Sequence, residues 1–294
     1  MFKQFICILL VFGLCKAQEK DIIVSYQKEV IATLTGKKAI EENYFLNQRA
    51  TYNERSMTAQ YLSKALKNSG WSCEFQKYRT PQSNYFLDLF FRPNRGINVV
   101  GKLPATKPTS RNIILGAHYD SERNSPGAVD NTSGVALCLA LAKNLQKLKD
   151  RQFNVIIVFF DQEEDDEVGS TVYVERLQKE NLDIHSVHIF DLIGYDSDKD
   201  FALTLQSPAP FLEDLYMEEA QERHIAVKII GGAGSDNKPF IRAGYATAHP
   251  FEELDDMTPY YHSPDDNYES VNFEFLANTT KYIESVLTKI LENE

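Results

Sequence analysis

Cysteine is scarce in these 294 residues: four in all, and Cys7 and Cys15 fall near the amino end. The other two, Cys73 and Cys138, are too few for a thiolate zinc site. In an oxidising compartment a pair can bridge. Cys138, however, lies in the apolar helical stretch Val135-Ala-Leu-Cys-Leu-Ala-Leu-Ala142, where a buried free thiol is the commoner outcome. No disulfide is expected. Positive charge is also short. The chain carries 31 Lys and Arg against 42 Asp and Glu, a formal net charge of −11. That is the wrong sign for a chain whose main partner is nucleic acid, and most of it serves solubility. Long hydrophobic runs are missing too. The run at residues 5–15 is too short to span a membrane as a helix, and no other stretch approaches a span. There are no repeats and no low-complexity linkers.

What remains is an ordinary globular composition, 43% hydrophobic and 25% charged, able to build a sizeable core. The length suits one large α/β domain or two small ones. The amino end reads as an export signal: Lys3, the apolar run, then Cys15-Lys16-Ala17 with small residues at the two positions a signal peptidase reads. Cleavage is expected after Ala17, leaving residues 18–294 as a single domain in the periplasm or outside the cell. Lipid attachment at Cys15 ranks second, because Leu14 is bulkier than the small residue that modification wants.

Residues 22–70 read as helical, with Gly70 as a stop signal. Residues 71–78, 97–103 and 112–116 are strand-like. Residues 135–148 form a helix. Residues 153–160 are a continuous β-branched and aromatic run, the pattern of a strand buried on both faces. Further helices are expected at 169–180, 213–223 and 272–291, and further strands at 187–190, 225–230 and 245–248. Strands alternating with helices predict an α/β fold, a mostly parallel sheet covered on both faces. Ligands in such sheets bind past the carboxyl ends of the strands.

Polar clusters fall at those ends. In Gly116-Ala-His-Tyr-Asp120, His118 follows a strand, and Asp120 can orient its ring through the other nitrogen. In Gly127-Ala-Val-Asp-Asn-Thr-Ser-Gly134, Asp130 sits just before a helix. It can bridge two cations, or simply cap the helix. After the most hydrophobic strand comes Asp161-Gln-Glu163-Glu164, then Asp165, Asp166 and Glu167. One of two adjacent glutamates can bind metal while the other keeps a raised pKa and acts as general base. Asp165 to Glu167 read as a solvated acidic loop. Asp191 follows another strand, and His262 lies in Tyr260-Tyr-His-Ser-Pro-Asp-Asp266. His118, Asp130, Glu164, Asp191 and His262 together offer two imidazoles and three carboxylates. Mixed nitrogen and oxygen donors with open positions suit catalytic zinc. His185, His188, His224 and His249 match no ligand position and read as surface or core histidines. Asn131-Thr-Ser is a sugar-acceptor pattern by spelling, discounted because it would sit beside the metal site.

These segments, in this order from about Asn98 to Val271, resemble the secreted di-zinc aminopeptidases (bacterial leucyl aminopeptidase-like, clan MH), a family that also holds glutaminyl cyclases and a few non-catalytic relatives. The resemblance implies a three-layer αβα sandwich with a mixed, mostly parallel sheet, the phosphorylase/hydrolase-like zinc exopeptidase fold. It implies two zinc ions, His118 and Asp191 on one, Glu164 and His262 on the other, with Asp130 bridging. Glu163 would be the general base acting on a metal-bridged water, Asp120 the partner of His118, and Tyr260 or Tyr261 an oxyanion donor. The substrate would be a peptide with a free amino end. Ser235-Asp236 with Pro239-Phe240 also matches the family. Two features depart from it: Asp165-Asp166-Glu167 replaces a usual glycine, and Asn237 stands where a histidine often follows the Ser-Asp pair. The rival is a one-zinc glutaminyl cyclase. Against it, Asn131 directly follows Asp130 where cyclases tend to have serine, and the only tryptophan, Trp71, is far from the loop after Glu164.

Overall fold

The computed structural model of the chain describes residues 20–80 and 94–293. The expected signal at residues 1–17, including Cys15, lies outside the described residues. Among those described, no helix is long and apolar enough to cross a membrane.

Eight strands form one mixed sheet in the order β1-β2-β4-β3-β5-β8-β6-β7. They are β1 (Ser72–Thr80), β2 (Asn94–Leu103), β3 (Asn112–His118), β4 (Asn154–Phe160), β5 (Ile184–Ile189), β6 (Leu203–Gln206), β7 (Val227–Ile230) and β8 (Thr247–Glu252). The pairs β3–β4, β3–β5, β5–β8 and β6–β7 are parallel. The pairs β1–β2, β2–β4 and β6–β8 are antiparallel.

Alternation along the central strands sorts their side chains into two cores. Ile113, Leu115 and Ala117 of β3 and Val155, Ile157 and Phe159 of β4 enter the larger one. There they meet α1 (residues 20–34), α2 (Tyr52–Asn68), α3 (Ser133–Leu145), α5 (Pro210–Arg223) and α7 (Phe273–Asn293). Ile114 of β3 and Ile156, Val158 and Phe160 of β4 enter the smaller one, with α4 (Val168–Glu180) and α6 (Asn237–Arg242). Two apolar faces explain why these strands read as unbroken apolar runs. The result is the expected three-layer α/β arrangement.

Residues 22–70 are not one helical stretch. The chain leaves α1 after residue 34 and re-enters helix at Tyr52. Gly36 takes φ +77°, and a Cβ there would sit 2.5 Å from Asn47 Oδ1, so the chain turns back on itself at that point. Thr51 then caps α2, its hydroxyl accepting the Glu54 amide while Glu54 accepts the Thr51 amide. Strand β6 and helix α6 are additions to the expected elements. Both are too short to show a period.

Strand β3 lies between β4 and β5. The chain goes from β3 to β4 on one side, then crosses to β5 on the other. That reversal opens a crevice at the carboxyl end of β3, where α/β sheets bind ligands.

Candidate metal centre

Three neighbouring strands deliver side chains to this crevice. β3 ends on His118, β4 runs into Glu163 and Glu164, and β5 is followed by Asp191. Asp130 comes from a kinked turn, Ala128–Thr132, ahead of α3, where its own backbone is non-helical, and His262 from the loop after β8. Asp130 is central. Its Oδ1 lies 3.1 Å from His118 Nε2 and its Oδ2 lies 3.3 Å from His262 Nε2. On the first side, Asp191 Oδ1 is 3.3 Å from His118 Nε2 and Glu163 Oε2 is 4.0 Å from it. On the second, Glu164 Oε2 is 2.9 Å from His262 Nε2. The five residues singled out as ligands are thus together, in two overlapping sets that share Asp130. Asp120 stands behind them. Its Oδ1 is 3.4 Å from His118 Nδ1, and its two oxygens accept the Glu163 and Glu164 amides.

This donor set fits small divalent cations. Tetrahedral zinc with bonds of about 2.1 Å separates its donor atoms by about 3.4 Å. The contacts from Asp130, Asp191 and Glu164 to the two imidazoles run from 2.9 to 3.3 Å. His118 Nε2 can hold one hydrogen, yet three carboxylate oxygens lie within 4.0 Å of it. The electrostatics point the same way. Burial, reinforced by Asp191, Asp236 and Asp120 against the pull of His118, pushes Glu163 up to about 10. Burial and Asp130 push Glu164 up to about 8. Burial disfavours charge on His118, but Asp191 and Glu163 hold its pKa well above the ordinary value. Burial also disfavours charge on Asp191, yet His118 draws it down to about 2. Carboxylates crowded in a closed space need protons or cations between them.

Several further residues support the centre, and the first of them, Arg49, carries no signal in the sequence. Arg49, from the turn between α1 and α2, is fully buried. Its guanidinium donates to the carbonyls of Tyr119 (2.6 Å), Leu34 (2.8 Å), Pro126 (2.5 Å) and Gly127 (3.0 Å), and its amide donates to Ser121 Oγ. It therefore ties α1 to the segments carrying Asp120 and Asp130. Burial lowers its pKa to about 10, opposed by Asp120, Asp266, Asp130 and Glu164. Asp266 accepts the amides of Val129 (2.8 Å) and Asp130 (3.0 Å) and so joins the His262 loop to the Asp130 turn. Asp161 is buried against Arg55 of α2 at 2.6 Å. Asp236 is also buried, both oxygens without a hydrogen-bond partner, and burial raises it to about 7 against the pull of His118.

Individual readings resolve as follows. Asp130 does not cap α3, whose N-cap position is Thr132; the peptide bond between Asp130 and Asn131 is cis. Asn131 is fully buried, donating to Phe190 O and accepting the Gly134 amide, so no glycan could attach there. Asp165 and Asp166 are exposed, whereas Glu167 is half-buried and bonded to Lys238. Asn237 is buried and donates to Gln206, a bond within the fold. His188 is a satisfied core histidine between Ser186 and Tyr216. His224 ends α5, and His185 packs against Phe153 and Phe211. His249 is buried with Nε2 unpartnered, and burial lowers it to about 4 against the charge of Asp191. Tyr261 stacks on His262 at 3.6 Å, and burial and then Asp130, Glu164 and Asp191 push its hydroxyl up. Tyr260 instead meets Tyr195 edge-on. Cys73 and Cys138 are free.

An αβα sandwich with histidines and carboxylates converging at its topological switch point is a scaffold that can hold metal ions. Residues 98–287 match the model of Peptidase family M28, and the chain belongs to that family. It is 28% identical over 207 residues to aminopeptidase YwaD of Bacillus subtilis, covering 67% of this chain and 45% of that protein. The chain thus spans less than half the length of this relative. In fold it is similar to BSAP, a zinc aminopeptidase from Bacillus subtilis (TM-score 0.79, 15% identity, 92% of this chain and 95% of that one). It is also similar to Porphyromonas gingivalis glutaminyl cyclase (TM-score 0.73, 16% identity, 92% and 98%).

Proposed function

We propose that the chain is an exported zinc-dependent aminopeptidase that hydrolyses N-terminal residues from peptides with a free amino end. The observation that carries this reading is Asp130 reaching both imidazoles, at 3.1 Å and 3.3 Å, with different oxygens. Under this reading His118, Asp130 and Asp191 would hold one zinc, and Asp130, Glu164 and His262 the other, and the bound metal would make a water more acidic and polarise the scissile carbonyl. Glu163 takes the proton and returns it to the leaving amine. Asp120 keeps the His118 ring and the double-glutamate turn in register. Tyr261, beside His262 and close to the carboxylates, is assigned as the oxyanion donor in preference to Tyr260. Membership of family M28 and the likeness to proteins named as aminopeptidases support the assignment. Export, to the periplasm or the medium, rests on the leader at residues 1–17, with residues 18–294 as the catalytic domain.

The fold likeness to a glutaminyl cyclase supports a second reading, cyclisation of N-terminal Gln with one zinc. One experiment separates the two. The purified chain is incubated with leucine p-nitroanilide and, separately, with a peptide beginning in Gln, and its zinc is counted. Anilide cleavage with two zincs per chain is the expected result. Ammonia release from the Gln peptide, no anilide cleavage and one zinc would establish the cyclase instead.

A further inference from the structure

Glu122 lies in the loop between His118 and Asp130 and is not among the ligands that the family pattern implies. Its position sets it beside one half of the centre. A carboxylate oxygen of Glu122, one of Glu164 and a ring nitrogen of His262 all lie within 4.8 Å of one another. The loop that carries it is fixed from several directions. The Glu122 amide donates to Glu164 Oε1 at 3.0 Å, leaving Glu164 Oε2 for His262. Ser121 accepts the Arg49 amide and donates to Ser125 O, and the Asn124 amide donates to Gln48. Glu122 Oε2 accepts the Arg123 amide, which orients the carboxylate. Glu122 is half-buried.

We propose that Glu122 is a fourth protein donor to the cation position built by Asp130, Glu164 and His262. The proposal rests on the two-zinc reading above and deepens it. It makes the two positions unequal. An ion on the His262 side would have four protein donors, whereas one on the His118 side would have His118, Asp130 and Asp191 alone, with Glu163 4.0 Å away. The His262 side would therefore retain its ion more tightly.

The test reads metal retention, not turnover. Full-length wild-type, Glu122→Gln and Glu122→Asp chains are loaded with zinc and dialysed against graded chelator, and zinc per chain is measured. Parallel samples loaded with cobalt are read by visible absorption. Wild type is expected to lose its ions in two separate steps. Glu122→Gln should release the tighter ion at 10- to 100-fold lower chelator strength, with a changed cobalt spectrum. Glu122→Asp keeps the charge but shortens the reach, so it should also loosen the ion if the oxygen is a donor. If Asp behaves as wild type while Gln does not, Glu122 acts only by its charge and the proposal is overturned. If all three curves superimpose, it is likewise overturned. Uptake of a single zinc by wild type would overturn the two-zinc reading separately. In that case loosening of the one ion in both variants still supports Glu122 as a donor, and no loosening overturns it.

Discussion

Glu163 and Glu164 are neighbours in the chain but face different groups. Glu164 lies 2.9 Å from His262, while Glu163 stands on the His118 side. Replacing Glu163 by Gln removes the proposed proton acceptor and keeps the shape. Turnover of leucine p-nitroanilide should fall by roughly 10²- to 10⁴-fold, with KM and bound zinc close to wild type. Undiminished turnover would remove Glu163 from the role of base. At this scale the sequence was informative where a residue of the convergent cluster follows a strong apolar strand, as His118, Glu164 and Asp191 do. Asp130 was harder, because Asp before a helix is also a common cap; its neighbours in space, not its spacing, decide between the two. Arg49 was not legible at all. Nothing in Leu-Asn-Gln-Arg-Ala-Thr separates it from a surface arginine, and its five hydrogen bonds join segments far apart in sequence.

Between elements, that same arginine links α1 to the loops after β3. Arg49→Met leaves four carbonyls without their donor in a buried place, and should cost at least about 3 kcal/mol in chemical denaturation. A loss below about 1 kcal/mol would show that water replaces the guanidinium without difficulty. His188 on β5 bonds Tyr216 of α5, and burial, with His185 adding, lowers its pKa to about 3 from an ordinary 6.5. The native state therefore binds fewer protons than the unfolded chain between those values. Stability from this site is complete above pH 6.5 and is lost as pH falls toward 3, at up to about 1.4 kcal/mol per pH unit. Urea midpoints measured from pH 7 to pH 5 should fall less steeply in His188→Gln than in wild type. Parallel slopes would mean that other groups set the acid response. Long apolar runs made β3, β4 and β5 readable, whereas Leu203–Gln206 is too short to declare itself. The break after α1 was announced by Gly36 and by Thr51 with Glu54, local cues outweighed by the helix formers around them.

For the molecule as a whole, the crowded carboxylates make folding and cation binding one equilibrium. A chelator-treated chain should melt lower than the zinc-loaded one. At zinc about 1,000-fold over its Kd the gain is about 4 kcal/mol, or roughly 10 °C for a chain of this size. Calorimetry with and without added zinc checks this, and identical melting curves would argue against a zinc centre. The αβα arrangement was legible because strand and helix patterns alternate along the chain. The antiparallel pairs were not, because β1, β2 and β6 show their direction only in the assembled sheet.

Asp266 grips the amides of Val129 and Asp130, and this has a bearing on when the protein becomes active. A nascent chain that has emerged as far as Asp191, just past β5, already carries His118, Asp130 and Glu164 as well, but neither His262 nor the residue that holds the Asp130 turn in place. Such a chain has most of the chemistry and no finished centre. Assembly of the centre therefore waits until near the end of synthesis. Zinc uptake by a nested series of stalled chains should rise in a step once Asp266 is clear of the ribosome, and a gradual rise from β5 onward would contradict that timing.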